Sequence, residues 1–255
     1  MLTDTHSHLY ADTLQDDLEA VMQRCKDHGV DRIFLPNIDL ESIDPMVQLE
    51  KAYPENCFAM MGLHPCSVDH DFQASLATIR SWWNKRNFVA VGEIGIDLYW
   101  DTTYVEEQKE AFRIQIEWAK ELNRPIVIHT RNSFNEVFEV LDDLNDDSLS
   151  GIFHCFSGDA EQARRILDYG NFWLGIGGVL TFKNSGLAAV IEPIDLKHLV
   201  LETDSPYLAP TPHRGKRNES SYLKLIAQRL AEVKNVSLEE IAATTTENSK
   251  KIFGI

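Results

Sequence analysis

The stretch Leu2-Thr-Asp-Thr-His6-Ser-His8 places two histidines directly after a short apolar and β-branched run. Four further stretches have the same form, an apolar run followed by a histidine or a carboxylate: Val89-Ala-Val-Gly-Glu93, Ile126-Val-Ile-His129, Gly151-Ile-Phe-His154 and Leu199-Val-Leu-Glu-Thr-Asp204. An α/β barrel presents functional side chains at the carboxyl ends of its buried strands. The five stretches therefore predict an α/β barrel with metal-ligating residues at one end.

Working outward from these stretches, eight β-rich segments are predicted to be strands, at residues 2–5, 32–36, 58–62, 89–94, 125–129, 151–156, 171–176 and 199–202. Between or after them lie segments with helical periodicity, at residues 13–28, 105–123, 134–144, 160–169, 220–233 and 237–253. Alternation of strand and helix predicts parallel pairing. With 255 residues, 44% of them hydrophobic, the chain can bury one large core. We expect an α/β protein: a single (β/α)8 TIM-type barrel over residues 1–255, with extra C-terminal helices that close or cover it.

The composition limits the partners of this protein. A formal charge of −16 repels polyanions at long range and disfavours tight binding of long duplex DNA. One loop differs, because residues 212–218 contain Arg214, Lys216 and Arg217 and form either a phosphate contact or a solvated turn. The sequence shows no signal peptide and no membrane span, so we expect a cytoplasmic protein that does not bind a membrane. No obligate protein partner is evident from the sequence.

The spacing of the histidines and carboxylates favours metal binding. Side chains two residues apart on an extended chain point the same way, so His6 and His8 can reach one ion. Glu93 has two oxygens and can bridge two ions roughly 3.5–4 Å apart. Taken singly, a histidine such as His129 or His154 after an apolar run is more often a hydrogen-bonded core residue. Several such residues in one chain favour a shared metal centre.

The sequence also resembles the TatD-type metal-dependent deoxyribonucleases, a branch of the amidohydrolase-like barrel superfamily. The resemblance covers nearly the full length and rests on a series of motifs: D-T-H-S-H-L (residues 4–9), G-L-H-P (62–65), G-E-I-G-I-D (92–97), P-I-V-I-H-T-R (125–131), F-H-C-F-S-G (153–158), E-T-D-S-P-Y (202–207) and H-R-G-K-R-N-E (213–219).

The resemblance implies two divalent metal ions, the first held by His6, His8 and Asp204, the second by His129 and His154, and both by the bridging Glu93. It further implies that water activated by the two ions is the nucleophile and that Glu93 and Asp204 are catalytic. Asp204 is the expected proton acceptor. Because the donor set is rich in nitrogen, zinc or manganese is expected, with magnesium able to support turnover.

Four further residues are candidate substrate contacts. Arg131 and Arg214 are the expected phosphate contacts. His64 either contacts a phosphate or the leaving group, or only fixes the turn before a proline. Glu202 either orients a ligand from behind or contacts the substrate.

By resemblance, the expected function is a deoxyribonuclease that cleaves phosphodiester bonds from the 3′ end of DNA, with single-stranded or frayed 3′ ends as substrate. An acyl hydrolase such as an aminoacyl-tRNA deacylase is the alternative enzyme, and a barrel that binds without catalysis is the alternative of another class. Basic phosphate contacts beside the metals favour the nuclease, whereas a closed pocket without them favours acyl transfer.

Overall fold

The computed structural model describes residues 1–255. It contains the eight predicted strands: β1 Leu2–Asp4, β2 Val30–Pro36, β3 Cys57–Met60, β4 Val91–Asp97, β5 Ile126–Arg131, β6 Gly151–Phe153, β7 Phe172–Ile176 and β8 Leu199–Leu201. The largest differences from the predicted bounds lie at two carboxyl ends. Strand β4 continues to Asp97, beyond the predicted end. Strand β6 ends at Phe153, because Cys155 has a left-handed backbone with φ 47° that turns the chain out of the sheet.

All neighbouring strands pair in parallel, in two runs of β1 to β3 and β4 to β8. Backbone hydrogen bonds also join the two runs at both edges. The Val89 N–H donates to the Ala59 carbonyl at 3.1 Å, and the Thr5 N–H donates to the Leu201 carbonyl at 3.0 Å. The strands therefore close into the predicted (β/α)8 barrel.

Ten α-helices surround the strands: α1 Asp12–Gln15, α2 Leu18–Asp27, α3 Ile43–Ala52, α4 Phe72–Trp82, α5 Val105–Leu122, α6 Phe134–Leu144, α7 Ala160–Asp168, α8 Leu187–Ile191, α9 Leu223–Lys234 and α10 Leu238–Phe253. Four 3-10 turns also occur, at Pro65–Ser67, Gly178–Thr181, Leu196–His198 and Ser220–Tyr222. None of the helices has the length and apolar character that crossing a membrane requires.

The predicted helix at residues 13–28 is wrong in one respect, because the chain breaks at Asp17 into α1 and α2. Asp17 has φ −132° and ψ 25°, outside the helical region. Its carboxylate accepts hydrogen bonds from the guanidinium groups of Arg217 and Arg24. Aspartate favours helix ends over helix interiors, so the break is consistent with the residue type. Helices α3, α4 and α8 add to those predicted.

The amino-terminal end of the barrel is closed by the last helix. A small cluster of buried side chains fills the barrel interior, contributed by the strands or the residues just before them and by α10: Phe34, Met60, Ala90, Val127, Ile152, Val200, Ile252 and Phe253. The ring of Phe253 stacks on that of Phe34 with centroids 3.9 Å apart. The prediction that the C-terminal helices cover the barrel is confirmed, and α10 leaves only the carboxyl end of the strands open for chemistry.

Candidate metal centre

Six predicted ligands meet at the carboxyl end of the barrel and are called the metal centre below: His6, His8, Glu93, His129, His154 and Asp204. They lie in or directly after β1, β4, β5, β6 and β8. All four histidines lie within 4 Å of the Glu93 carboxylate, and three of them, His6, His8 and His154, also lie within 4 Å of the Asp204 carboxylate. The strand order thus brings together residues that are up to 198 positions apart in the sequence.

Glu93 lies at the middle of the metal centre, with its side chain 2% exposed. Its Oε2 is 3.0 Å from His6 Nε2 and 3.6 Å from His8 Nε2. Its Oε1 is 2.8 Å from His129 Nδ1 and 3.5 Å from His154 Nε2. The two oxygens of one carboxylate therefore face two separate pairs of imidazoles.

Asp204 borders this arrangement from β8. Its Oδ1 is 3.6 Å from His8 Nε2, 3.8 Å from His6 Nε2 and 3.9 Å from His154 Nε2. The backbone at Asp204 is left-handed, with φ 56°, and its N–H donates to the His6 carbonyl at 2.9 Å. The Asp204 side chain is 13% exposed, so it is the more open of the two carboxylates at the centre.

Two of the histidines are oriented by hydrogen bonds on the far side of the ring. His8 Nδ1 lies 2.9 Å from the hydroxyl of Tyr10, which donates its own proton to the Pro36 carbonyl and so accepts from His8. His129 Nε2 lies 2.8 Å from Asp97 Oδ2, a carboxylate that can only accept while ionised. The protons are thereby placed on the outward nitrogens, and the lone pairs of His8 Nε2 and His129 Nδ1 face the centre.

Glu202 performs the corresponding role for His154. Its Oε1 lies 3.0 Å from His154 Nδ1, although the pair is not aligned well enough to count as a hydrogen bond. The same oxygen accepts the Cys155 N–H. A methyl group at Gly175 would lie 2.3 Å from Glu202 Oε2, so glycine makes room for the carboxylate. Glu202 is fully buried, which favours the orienting role over the substrate contact among the two roles considered for it.

The charges of the centre reinforce one another in the metal-free protein. Burial raises the pKa of Glu93, but the charges of the surrounding imidazoles, His6 first, outweigh it and hold that pKa well below its usual value. Burial also opposes ionisation of Asp204, yet the neighbouring imidazoles, His8 first and then His154 and His6, lower its pKa. Burial lowers the pKa of His154, but the charge of Glu202 leads the effects that raise it to about 10.

His6 differs from the other ligands. Its ring stacks on that of His154 with centroids 3.5 Å apart, and its Nδ1 is buried without a hydrogen-bond partner. Burial first, and then the charge of His154, lower the pKa of His6. A lowered pKa eases release of the His6 proton, after which Nε2, directed at Glu93, is a suitable nitrogen ligand.

The donor set fits divalent metal ions. Nitrogen and oxygen atoms of His6, His8 and Glu93 lie within 4.8 Å of one another, as do those of His64, Glu93 and His129. The second group contains His64 in place of His154, and the Nε2 atoms of these two histidines lie at similar distances from Glu93 Oε1, 3.4 and 3.5 Å. Because His64 Nδ1 accepts the Cys66 N–H, its Nε2 carries the ring proton, which leaves His154 as the metal ligand of the two. Mixed imidazole and carboxylate donors of this kind suit transition metals.

Comparison with known proteins identifies the family. The family model described as TatD related DNase matches residues 3–254. The chain belongs to the TatD family. It is 41% identical to YabD, an uncharacterized metal-dependent hydrolase of Bacillus subtilis, over 100% of both chains. Its fold superposes on that of YJJV, a TatD homologue from Escherichia coli K12, with a TM-score of 0.93 and 29% identity, over 100% of this chain and 98% of the other. The protein is accordingly a metal-dependent hydrolase of the TatD family.

His64 has the turn-fixing role considered for it in the sequence, and its other ring nitrogen faces the metal centre. Its Nδ1 accepts the Cys66 N–H at 3.0 Å and so caps the 3-10 turn Pro65–Ser67. This bond places the ring proton on Nε2, which lies 3.3 Å from His129 Nδ1. His64 therefore presents an N–H to the TatD metal centre, where it can donate to an oxygen of the substrate.

The rim of the TatD centre contains two arginines without an ion pair. The guanidinium of Arg131 lies 3.8 Å from the ring centroid of Tyr99 and 5.3 Å from that of Trp100. Arg214 lies 4.4 Å from the ring of Phe182. Arg217 differs, because it binds Asp17 through both terminal nitrogens at 2.6 and 2.8 Å. Within the basic loop, Arg217 is thus structural and Arg214 remains free to bind an anion.

Several residues of the site were not identified from the sequence. Asp97 lies four positions after Glu93 on the same strand, so the period of two already places both on one face. Tyr10 follows His8 by two positions and offered a similar signal. The sequence contains no signal that identifies the exposed residues Tyr99 and Trp100. Their contact with Arg131 depends on how closely the ends of β4 and β5 approach each other in space.

Proposed function

We propose that this protein is a metal-dependent deoxyribonuclease that removes nucleotides from the 3′ end of single-stranded or frayed DNA. The observation that supports this most strongly is the position of Glu93, whose two oxygens face two separate sets of imidazoles. Such an arrangement is suited to two metal ions acting on one phosphodiester.

Two ions would be held in this arrangement by residues already oriented for the purpose: His6, His8 and Asp204 on one side, His129 and His154 on the other, with Glu93 between them. Zinc or manganese suits these donors best, and magnesium can support turnover. The bound ions would supply Lewis acidity and lower the pKa of water at the site.

The residues of the chain account for the remaining requirements of the reaction. Asp204 is ionised and partly open to solvent, so it can accept the proton of the attacking water. Glu93 remains ionised because its pKa is held low. His64 Nε2–H can donate to the phosphate or to the leaving oxygen, since its Nδ1 is already an acceptor.

The rim favours a phosphodiester over a carbonyl substrate. Arg131 and Arg214 have no carboxylate partner, and guanidinium groups bind phosphate oxygens in a fork-like geometry. The overall charge of −16 disfavours long duplexes, so short single strands that enter the open end of the barrel are the expected substrate.

The experiment is cleavage of single-stranded DNA labelled at its 5′ end by protein that has been stripped of metal and reloaded with manganese, zinc or magnesium. A ladder that shortens from the 3′ end and depends on metal is expected. Random internal fragments would contradict the 3′-end preference. Absence of cleavage with every metal, together with hydrolysis of an aminoacyl ester, would contradict the nuclease proposal and favour the acyl hydrolase.

A further inference from the structure

A cavity of about 630 Å³ opens beside the metal centre, between the ends of β5 and β6. It is called the side pocket below. Thr130 and Arg131, which line it, directly follow the ligand His129, and Ser157 lies three residues after the ligand His154. Its volume falls in the range of roughly 300–1,000 Å³ that is typical of small-molecule sites. The pocket therefore adjoins the place where a bond would be cleaved and can receive a neighbouring part of the substrate.

One wall of the side pocket is flat and aromatic. Tyr99 and Arg131 both line the pocket, and the Arg131 guanidinium lies 3.8 Å from the centroid of the Tyr99 ring. The ring of Trp100 contacts that of Tyr99 edge to face, with centroids 4.8 Å apart. Tyr99 is 53% exposed and Trp100 is 70% exposed. Large aromatic rings exposed next to a functional site commonly bind ligands, and both aromatic rings and guanidinium planes stack on nucleobases.

The remaining lining is polar and has unused hydrogen-bonding groups. Thr130 Oγ1 is buried without a hydrogen-bond partner, and the side-chain amides of Asn132 and Asn135 are exposed and form no hydrogen bond within the protein. An amide offers both a donor and an acceptor, which matches the edge of a nucleobase. A polar ligand that enters the pocket can pair with the buried Thr130 hydroxyl and can replace the water around the two exposed amides.

The charges of the lining discriminate between the parts of a nucleotide. The lining contains one cation, Arg131, and two carboxylates, Glu136 and Asp159. A phosphate would meet a net negative wall, whereas a neutral base would not. The lining thus favours the base, and it leaves the phosphate to the metal centre and to the free edge of Arg131.

We propose that the side pocket is a nucleobase subsite, in which the base of a nucleotide next to the cleaved bond stacks on the exposed side of the Tyr99–Arg131 pair and is hydrogen-bonded by Asn132 and Asn135. This inference rests on the proposed nuclease function, because it identifies where that substrate is held. It adds that recognition extends beyond the phosphate and that the enzyme prefers substrates with a base at this position.

The test compares two ligands with the same sugar and phosphate, deoxyadenosine 5′-monophosphate and 2-deoxyribose 5-phosphate. Binding to the metal-loaded protein is measured by isothermal titration calorimetry. The wild type should bind the nucleotide about tenfold more tightly, because stacking of a base on an aromatic ring has an effect of this order. Tyr99→Ala should reduce the ratio to near one, while Tyr99→Phe should retain most of it because the ring remains.

The matched control is Leu40→Ala, since Leu40 is an apolar side chain, 42% exposed, that does not line the pocket. Its ratio should equal that of the wild type, and circular dichroism melts should show that all variants are folded. Equal binding of the two ligands by the wild type would overturn the subsite. So would a preference that persists in Tyr99→Ala, or one that is lost equally in Leu40→Ala.

The same data separate the subsite from the function on which it rests, because binding is measured without cleavage. A base preference that depends on Tyr99, in a protein that cleaves no DNA, would support the pocket and contradict the nuclease. Cleavage of DNA without any base preference would support the nuclease and contradict the pocket.

Discussion

At the amino-terminal end of the barrel the strands direct Phe34, Val127 and Val200 inward against Phe253, whereas at the carboxyl end the chain places histidines and carboxylates in an equally buried space. The cluster at the amino-terminal, or lower, end is apolar and is stabilised by close packing alone. The cluster at the carboxyl, or upper, end is a set of ionisable groups whose burial is offset by one another, by partners such as Tyr10, Asp97 and Glu202, and by the metal that they are suited to bind. The comparison indicates that one end of the barrel supplies stability and the other supplies function, so changes at the two ends should have separable effects.

The largest effect is expected from Asp204→Asn at the upper end. The amide cannot accept the proton of the attacking water, so kcat for DNA cleavage should fall by about a thousandfold, within the usual range for a general base. The free energy of unfolding of the metal-free protein should change by far less than the increase in activation free energy that a thousandfold fall in kcat represents. Steady-state cleavage and urea denaturation of the same preparation measure the two quantities. Retention of wild-type kcat would exclude Asp204 as the proton acceptor.

Phe253→Ala, at the lower end, should reduce stability and leave kcat unchanged. Phe253 is 3% exposed and stacks on Phe34, so truncation leaves a cavity in the barrel floor. The expected loss in unfolding free energy is about 3–5 kcal/mol. The rate of DNA cleavage per folded molecule should be unchanged. Active-site titration gives the concentration of folded enzyme by which the rate is divided. A large fall in kcat with unaltered stability would show that the two ends are not separable.

Glu202→Gln should lower metal affinity by about 10- to 100-fold, the usual effect of removing a group that orients a metal ligand. The glutamine has nearly the same shape but removes the charge that lies 3.0 Å from His154 Nδ1. Equilibrium dialysis with a competing chelator measures the affinity. As a control, Glu192→Gln changes an exposed carboxylate that has no contact with the centre. Equal affinities of the two variants would contradict the orienting role.

Metal binding should depend on pH through His154. Its pKa in the metal-free protein is raised to about 10, so at neutral pH the ring is charged and must release a proton before it can bind metal. The apparent metal affinity should therefore rise with pH by up to about tenfold per unit and level off near pH 10. In stability terms, the folded pKa lies above the ordinary 6.5, so this ion pair stabilises the metal-free fold fully below pH 6.5 and is lost as the pH rises to about 10.

Calorimetry in buffers of different ionisation enthalpy counts the protons released on metal binding. At pH 7.5 we expect His154 to release about one proton for every two metal ions that a chain binds. No proton release would show that the ring is already neutral and that Glu202 does not hold its proton.

The smallest effect is expected at the rim, where two arginines of one loop can be compared. Arg214→Ala should raise KM for DNA by about fivefold and weaken the dependence of KM on salt, because one phosphate contact is lost. Arg217→Ala should have less effect on KM, because this side chain is already paired with Asp17, and should cost at most about 1 kcal/mol of stability. A larger effect on KM from Arg217→Ala than from Arg214→Ala would contradict this assignment.

The same comparison explains what could be predicted from the sequence. The strands are apolar runs of recognisable period, and each ligand follows such a run, so both the barrel and the gathering of His6, His129 and Asp204 follow from local patterns. The order of strands then places the ligands at one end, whichever residues surround them.

The remainder depends on contacts between distant segments. The burial of Glu202 requires the space above Gly175 on β7, and the orientation of His129 requires Asp97 on β4. The pairing of Arg217 with Asp17 joins residues that are 200 positions apart. Such side-chain partners depend on angles and distances between elements that no local pattern specifies, which explains why Glu202 was included among the substrate contacts.

The most direct test of the two-ion centre is the number of divalent ions bound per chain. Metal-stripped protein is dialysed against manganese or zinc, and the bound metal is counted by elemental analysis, for the wild type and for Glu93→Gln. We expect two ions per wild-type chain and a loss of tight binding at both positions in Glu93→Gln, because one carboxylate serves both sets of imidazoles. A single ion in the wild type, or two ions that remain tightly bound in Glu93→Gln, would contradict a centre that is bridged by Glu93.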